Sequence, residues 1–272
     1  MSKVSEKRVI ITLSQKGGVG KTIFSANLVA LLRSRNICVS AYDGDGAVGG
    51  LRRLLGEGDA AVGCEGYNIL DPKERRILLD SFESNKGVVL HDLPGGALDA
   101  LCLAGGDAGK LRSGEGVLAA ADDLGMALTI VHFVSSYAET VQSVADALEV
   151  LPLDRCSHVA ILPELYGLDQ EDFPFWYGFK VGDERHGGAT RTRFLAGGGV
   201  EVIYPYCRNA FLAKMSAVRA TYPYGVSSSQ AYRDRESNGL KLLSYGETAQ
   251  VATFATRFAK EIEKQGCLLG LK

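Results

Sequence analysis

Residues 14–22, Ser-Gln-Lys-Gly-Gly-Val-Gly-Lys-Thr, constrain this chain more than any other stretch. An apolar run, Val9 to Leu13, precedes them and reads as a buried strand. Ile23 to Leu32 follows and reads as a helix. A strand, a glycine-rich turn and a helix N-terminus together make a cradle for phosphate. Glycines let backbone N–H groups crowd around an anion, since no Cβ stands in the way. The helix start adds unpaired N–H donors and the positive end of its dipole. Lys21 then supplies a cation for β/γ-phosphates, and the Thr22 hydroxyl suits Mg²⁺.

The usual loop of this kind is G-x-x-x-x-G-K-[ST]. Gly20-Lys21-Thr22 supply its end, but Gln15 stands where the first glycine belongs, and a second lysine, Lys16, directly precedes Gly17-Gly18. Two further stretches carry carboxylates at strand ends. Ile37 to Tyr42 reads as a strand closing in Asp43-Gly44-Asp45-Gly46. Gly87 to Leu93 reads as a strand reaching Asp92 before Pro94-Gly95-Gly96. Acidic groups just past the carboxyl end of a parallel strand lie where open α/β sheets bind ligands. Asp92 is a hard oxygen donor suited to Mg²⁺. His91, placed mid-strand, reads as a packed or surface residue rather than a base.

The pattern K-G-G-x-G-K-T resembles the deviant Walker A loop of the ParA/MinD family of P-loop ATPases. The resemblance covers residues 9–96 well and the remainder only by strand–helix order. It implies Mg-ATP as the bound nucleotide, with Lys16, Gly17, Gly18, Val19, Gly20, Lys21, Thr22 and Ile23 around it. It implies that Lys16 reaches across an ATP-dependent homodimer to the partner's phosphates. Asp45 matches the family aspartate that positions the attacking water, and Asp43 the one near the partner's lysine. Lys16, Lys21 and Asp45 are therefore the expected catalytic residues, and Thr22, Asp45 and Asp92 the expected metal residues. Gly46 replaces the family's proline, which predicts a more mobile loop. Gly95 and Gly96 match the switch whose backbone senses the γ-phosphate. Many members carry an adenine-reading asparagine where this chain has Pro163-Glu164. Tyr204, Pro205 and Tyr206 match the element that packs near adenine.

The rest of the chain predicts α/β architecture: a mostly parallel twisted sheet with helices on both faces. Short helices are expected over Leu51–Leu55 and from Pro72 to Leu79, and helices within 97–125 around a 105–109 loop. Further strands are expected at Ala127–Val134, His158–Leu162 and Glu201–Pro205. A helix from Tyr137 to Leu151 is expected to be capped by Ser135-Ser136. The aromatic run Phe173 to Phe179 reads as local core or a folded-back loop; exposed, it would make a partner surface. With 272 residues, 46% apolar and no linker, one domain spanning 1–272 is expected. No apolar run is long enough to span a bilayer, and no signal-peptide core precedes the first strand, so a cytoplasmic location is expected.

Between Arg208 and Lys241 six basic residues face two acidic ones in a chain of net charge −2. In DNA-partition members this late region binds DNA without sequence preference. Arg208, Lys214 and Arg219 are the matching candidates, with a solvated helix face as the equal alternative. Thr248 to Gln265 reads as an amphipathic helix of balanced charge that packs on the core, not a stable membrane anchor. The six cysteines form no C-x-x-C pair, which disfavours the iron–sulfur ATPases sharing this loop. The absence of a tyrosine-rich tail disfavours bacterial tyrosine kinases. The expected function is partition or positioning of a cargo, most of all plasmid or chromosomal DNA, with slow hydrolysis stimulated by a partner protein. A nucleotide-dependent adaptor in conjugation or secretion, or the positioning of a protein cargo, is the alternative.

Overall fold

The apolar run ahead of the glycine-rich loop forms β1 (Arg8–Leu13), buried at every position. In this computed structural model, which describes residues 7–46, 48–83, 87–105, 113–217 and 222–271, β1 lies at the centre of a seven-stranded sheet. The chain continues through α1 (Lys21–Ser34), β2 (Val39–Asp43), α2 (Gly50–Leu55), β3 (Glu65–Gly66), α3 (Ile77–Glu83) and β4 (Val88–Asp92). Then come α4 (Leu98–Cys102), α5 (Glu115–Asp123), β5 (Ala127–Phe133), α6 (Ala138–Val150) and β6 (Ser157–Pro163). An insertion follows, with α7 (Pro174–Tyr177), the hairpin β7 (Phe179–Val181) and β8 (Glu184–His186), and α8 (Ala189–Ala196). The last elements are β9 (Val200–Tyr204), α9 (Asn209–Ala217), α10 (Ser228–Arg233) and α11 (Tyr245–Gln265).

The strand order is β3-β2-β4-β1-β5-β6-β9, and every pairing in this sheet is parallel. Strands buried on both faces need apolar residues at every position, not alternate ones. Successive β1 residues accordingly enter different cores. Ile10 faces one with α1 and α11, while Val9, Ile11 and Leu13 face the other with α3 and α5. Helix α1 buries Phe24, Leu28, Leu31 and Leu32, a helical spacing that puts all four on one side. Each such side chain contributes about 1.5–3 kcal/mol by leaving water. Helix α11 starts at a capping box, in which Ser244 and Glu247 accept each other's backbone N–H. Its Phe258 meets Phe24 edge-on, with ring centroids 5.7 Å apart, so the last helix closes the nucleotide-side core as expected. No helix among the described residues is long and apolar enough to cross a membrane.

The aromatic run proves to be local core. Trp176 is fully buried against Phe194, Phe173 and α6, and its indole N–H donates to Glu201 on β9. Two boundaries differ from expectation. Residues 72–76 form turns, and α3 begins only at Ile77. Tyr137, not Ser135 or Ser136, occupies the N-cap of α6; Ser135 instead accepts the Tyr137 N–H from two residues upstream. Of the 105–109 loop, residues 106–109 lie outside the described residues.

Three of the four histidines are buried. His91 lies between Tyr67 and Ser81, each 2.9 Å away. Ser81 donates its one proton to the Leu78 carbonyl, so it accepts from His91 Nε2, and Tyr67 donates to Nδ1. His132 and His158 are joined at 2.8 Å, and Cys156 Sγ lies 3.2 Å from His158. Burial pushes His91 down to about 3 and His158 to about 4, and lowers His132 as well. Unfolded imidazoles protonate near 6.5, so below that pH the unfolded chain binds more protons and the fold loses stability. Between pH 7 and 5 the loss for His158 is about 2 kcal/mol. Urea midpoints should therefore fall across this window, and the slope should flatten in His158→Gln.

Candidate functional site

The loop between β1 and α1 is built on three glycines and one serine. Gly18 (φ 76°) and Gly20 (φ 95°) lie in the left-handed region, which side chains disfavour. A Cβ on Gly17, Gly18 or Gly20 would meet nothing within 4 Å, so their outer faces line open space of the kind a phosphate needs. Val19 faces the other way and is buried in the core, anchoring the loop. Ser14 shapes the loop's first half: its hydroxyl donates to the Lys16 carbonyl and accepts the Lys16 N–H, at 2.9 and 3.1 Å. The Ser14 carbonyl accepts the N–H of Gly96 at 3.0 Å. The turn after β4 is thereby tied to the glycine loop.

Sheet register sets the carboxylates. Asp92 pairs with Asp43 on one side and with Thr12 on the other, so three polar residues end three adjacent strands at one level. Asp92 is buried and accepts three hydroxyls: Thr22 at 2.7 Å on Oδ2, and Ser25 at 2.8 Å and Thr12 at 2.9 Å on Oδ1. Burial raises its pKa, and the hydroxyl bonds and Lys21 oppose that rise. Lys21 is also buried; desolvation lowers its pKa, countered by Asp92 and then Asp45. Lys21, Thr22, Asp45 and Asp92 thus converge at the mouth of the glycine loop.

Asp43 is fully buried and accepts the backbone N–H groups of Asp45 and Arg52 at 3.1 and 3.0 Å. It holds the loop that presents Asp45. Gly46 is exposed, but Asn68 crowds one side of it: a Cβ there would sit 2.7 Å from Asn68 Cβ. The close approach of Asn68 favours glycine at this position.

Residues 10–59 match the model of the CobQ/CobB/MinD/ParA nucleotide binding domain. This segment, which carries the glycine loop, α1 and β2, is similar to the nucleotide-binding domains of that family. Among solved structures it is similar to the cell division ATPase MinD of Pyrococcus furiosus, at 18% identity over 95% of this chain and 99% of that one, with a TM-score of 0.52. It is also similar to the septum site-determining protein MinD of Pyrococcus horikoshii OT3, complexed with Mg-ADP, at 17% identity over 95% and 97% of the two chains and a TM-score of 0.50. These identities establish the fold. A comparison with curated proteins gives no match.

For a ParA/MinD-type loop, Thr22 and Asp92 suit a magnesium ion. That ion takes one or two protein oxygens and keeps several waters. A slot beside the loop lies between Gly20 and Ile23 on one wall and Pro163, Leu165, Pro205 and Tyr206 on the other. Tyr204 lines the slot as well. It is buried, its hydroxyl accepts from Asn27 at 2.8 Å, and its ring meets Phe24 and Phe258 edge-on. Tyr204 therefore borders the slot from its core side, next to Pro205. Glu164, where many relatives carry asparagine, is bound by both guanidinium arms of Arg257 and by the Tyr206 N–H.

Lys16 does not point at its own glycine cradle: its ammonium lies 3.5 Å from the centroid of the Tyr137 ring. Arg208 is exposed over Phe211, Lys214 pairs with Glu247 at 2.6 Å, and Arg219 lies outside the described residues. Thr12 and Ser25 were the residues sequence reading missed. Ser25 lies four residues after Lys21, one helical turn along the same face, and Thr12 is the single hydroxyl in an otherwise apolar strand core. Ser25→Ala leaves a buried carboxylate oxygen one bond short. It should cost about 1–3 kcal/mol in urea unfolding, whereas Ser34→Ala, on an outer turn, should cost under about 0.5 kcal/mol.

Proposed function

We propose that this chain is one domain that binds Mg-ATP, dimerises around it and hydrolyses it slowly. The observation that carries the reading is the convergence of Lys21, Thr22 and Asp92 at an open glycine loop, with a second lysine, Lys16, in the same loop. In this reading the backbone N–H groups of 17–22 hold the triphosphate and Lys21 neutralises its β/γ oxygens. Mg²⁺ supplies charge neutralisation across those phosphates when bound. Asp92, fixed by Thr12 and Ser25, and Thr22 present oxygens to it. Asp45 orients the attacking water, and Asp43 fixes the loop on which Asp45 sits. The slot walled by Ile23, Pro163, Pro205 and Tyr206 takes the base.

Two facing Lys16 side chains repel unless triphosphate lies between them, which makes association depend on ATP. A partner protein that stimulates hydrolysis completes the cycle. The cargo follows from the resemblance: non-specific duplex DNA, contacted by Arg208 and neighbouring basic residues. A nucleotide-dependent adaptor for a protein cargo is the second reading, favoured by the pairing of Lys214 with Glu247, which removes one cation from the basic surface.

Lys21→Ala should abolish ATP binding in calorimetry; wild-type affinity would overturn the site. Asp45→Ala should bind Mg-ATP yet turn it over about 100-fold more slowly, read as phosphate release at saturating nucleotide. The ATP-loaded protein should bind duplex DNA in an anisotropy assay with affinity falling steeply as salt rises. A loaded protein that ignores DNA at low salt would turn the reading to a protein cargo.

A further inference from the structure

We infer that Tyr137 is a positioning residue for Lys16: its ring is the resting place of that ammonium on its own subunit, and it sets how readily the lysine is released to a partner. Lys16 Nζ lies 3.5 Å from the ring centroid, well within cation–π range. Neither partner is loosely held. The Lys16 backbone is fixed by two bonds to Ser14. Tyr137 caps α6, its N–H bound to Ser135 and its carbonyl to the Thr140 hydroxyl at 2.8 Å. No carboxylate among the described residues pairs with Lys16, so the face of the ring is the contact that attracts its ammonium there. At 47% exposure the ring can be vacated without opening the core.

The inference rests on the reading of Lys16 as the cross-subunit lysine. A lysine held at home must leave the ring before it crosses an interface. At a half-exposed site the ring favours the resting position by a factor of about 2–5. A dimer releases two lysines, so the factor applies twice, and the association constant is held down about 5- to 25-fold. Tyr137 thereby guards against premature association, and an interaction that is weak in one subunit is squared in the dimer.

The test compares wild type with Tyr137→Phe, which keeps an aromatic face, and Tyr137→Leu, which keeps bulk without one. Side-chain NMR reads the Lys16 ε-methylene, which a ring at this distance shifts upfield. Sedimentation with a non-hydrolysable ATP analogue reads association. The expected result is an upfield-shifted signal in wild type and Tyr137→Phe that is lost in Tyr137→Leu, with Tyr137→Leu associating about 5- to 25-fold more tightly and Tyr137→Phe within about twofold of wild type. An unshifted Lys16 signal in wild type overturns the resting place. A Tyr137→Leu protein that keeps its fold and associates no more tightly overturns the gating role. A wild type that ignores the analogue overturns the cross-subunit reading itself and the gating with it, and a retained ring shift identifies that case.

Discussion

The structure depends on one buried carboxylate. Asp92 ends β4 in the interior, where an isolated charge is strongly disfavoured, yet it serves as the acceptor for hydroxyls from β1 and α1 together. Thr12 reaches it across the sheet and Thr22 and Ser25 from the helix, so the carboxylate fixes where α1 begins relative to two strands. The glycine loop is the connection whose ends this arrangement sets. Lys21 adds the compensating charge from the first turn of the same helix. Stability and binding geometry are therefore not separate properties here: the bonds that make a buried aspartate tolerable also aim its oxygens.

That coupling extends outward through backbone contacts. The Gly96 N–H bonds to the Ser14 carbonyl, so the turn after Asp92 is tied to the loop that presents Lys16. On the other side, His91 precedes Asp92 and locks β4 to Tyr67 and Ser81, and a Cβ on Gly44 would meet the Tyr67 hydroxyl at 3.2 Å and Leu93 at 2.6 Å. The loop carrying Asp45 thus rests on the residues that brace β4. Two hydrogen bonds thus tie the neighbouring turns into the site, Gly96 N–H to Ser14 and Gly44 N–H to the Asp92 carbonyl.

The parts legible in the sequence are those governed by local rules. Residues 14–22 declare a phosphate loop because glycine conformation, helix start and lysine position are short-range constraints, and Asp92 and Asp45 follow from strands that end in acid. Register was not legible. Thr12 reads as a strand residue until β1 is set beside β4, and only then does its hydroxyl face Asp92. Tyr204 was legible only as a neighbour of Pro205; its bond to Asn27 and its edge-on contacts with Phe24 and Phe258 depend on packing between distant elements. The β7–β8 hairpin went unread because three-residue strands around a glycine turn carry almost no periodic signal. The approach of Asn68 to Gly46 was not legible either, because it joins two loops that only the fold brings together.

Lys16 shows how a loop of this kind reconciles two demands. The glycines that admit phosphate leave little side-chain packing to hold the loop, and a second cation beside Lys21 adds repulsion before any anion arrives. Ser14 answers the first demand by taking both hydrogen-bonding groups of the Lys16 backbone, and Tyr137 answers the second by drawing the ammonium sideways onto a ring. Both solutions come from outside the glycine run: Ser14 from the end of β1, and Tyr137 from the cap of α6, a helix that follows the neighbouring strand β5. The loop's charge is thus balanced by the same side of the sheet to which the chain crosses after β4, and the position of Lys16 is a property of the sheet's topology as much as of the motif.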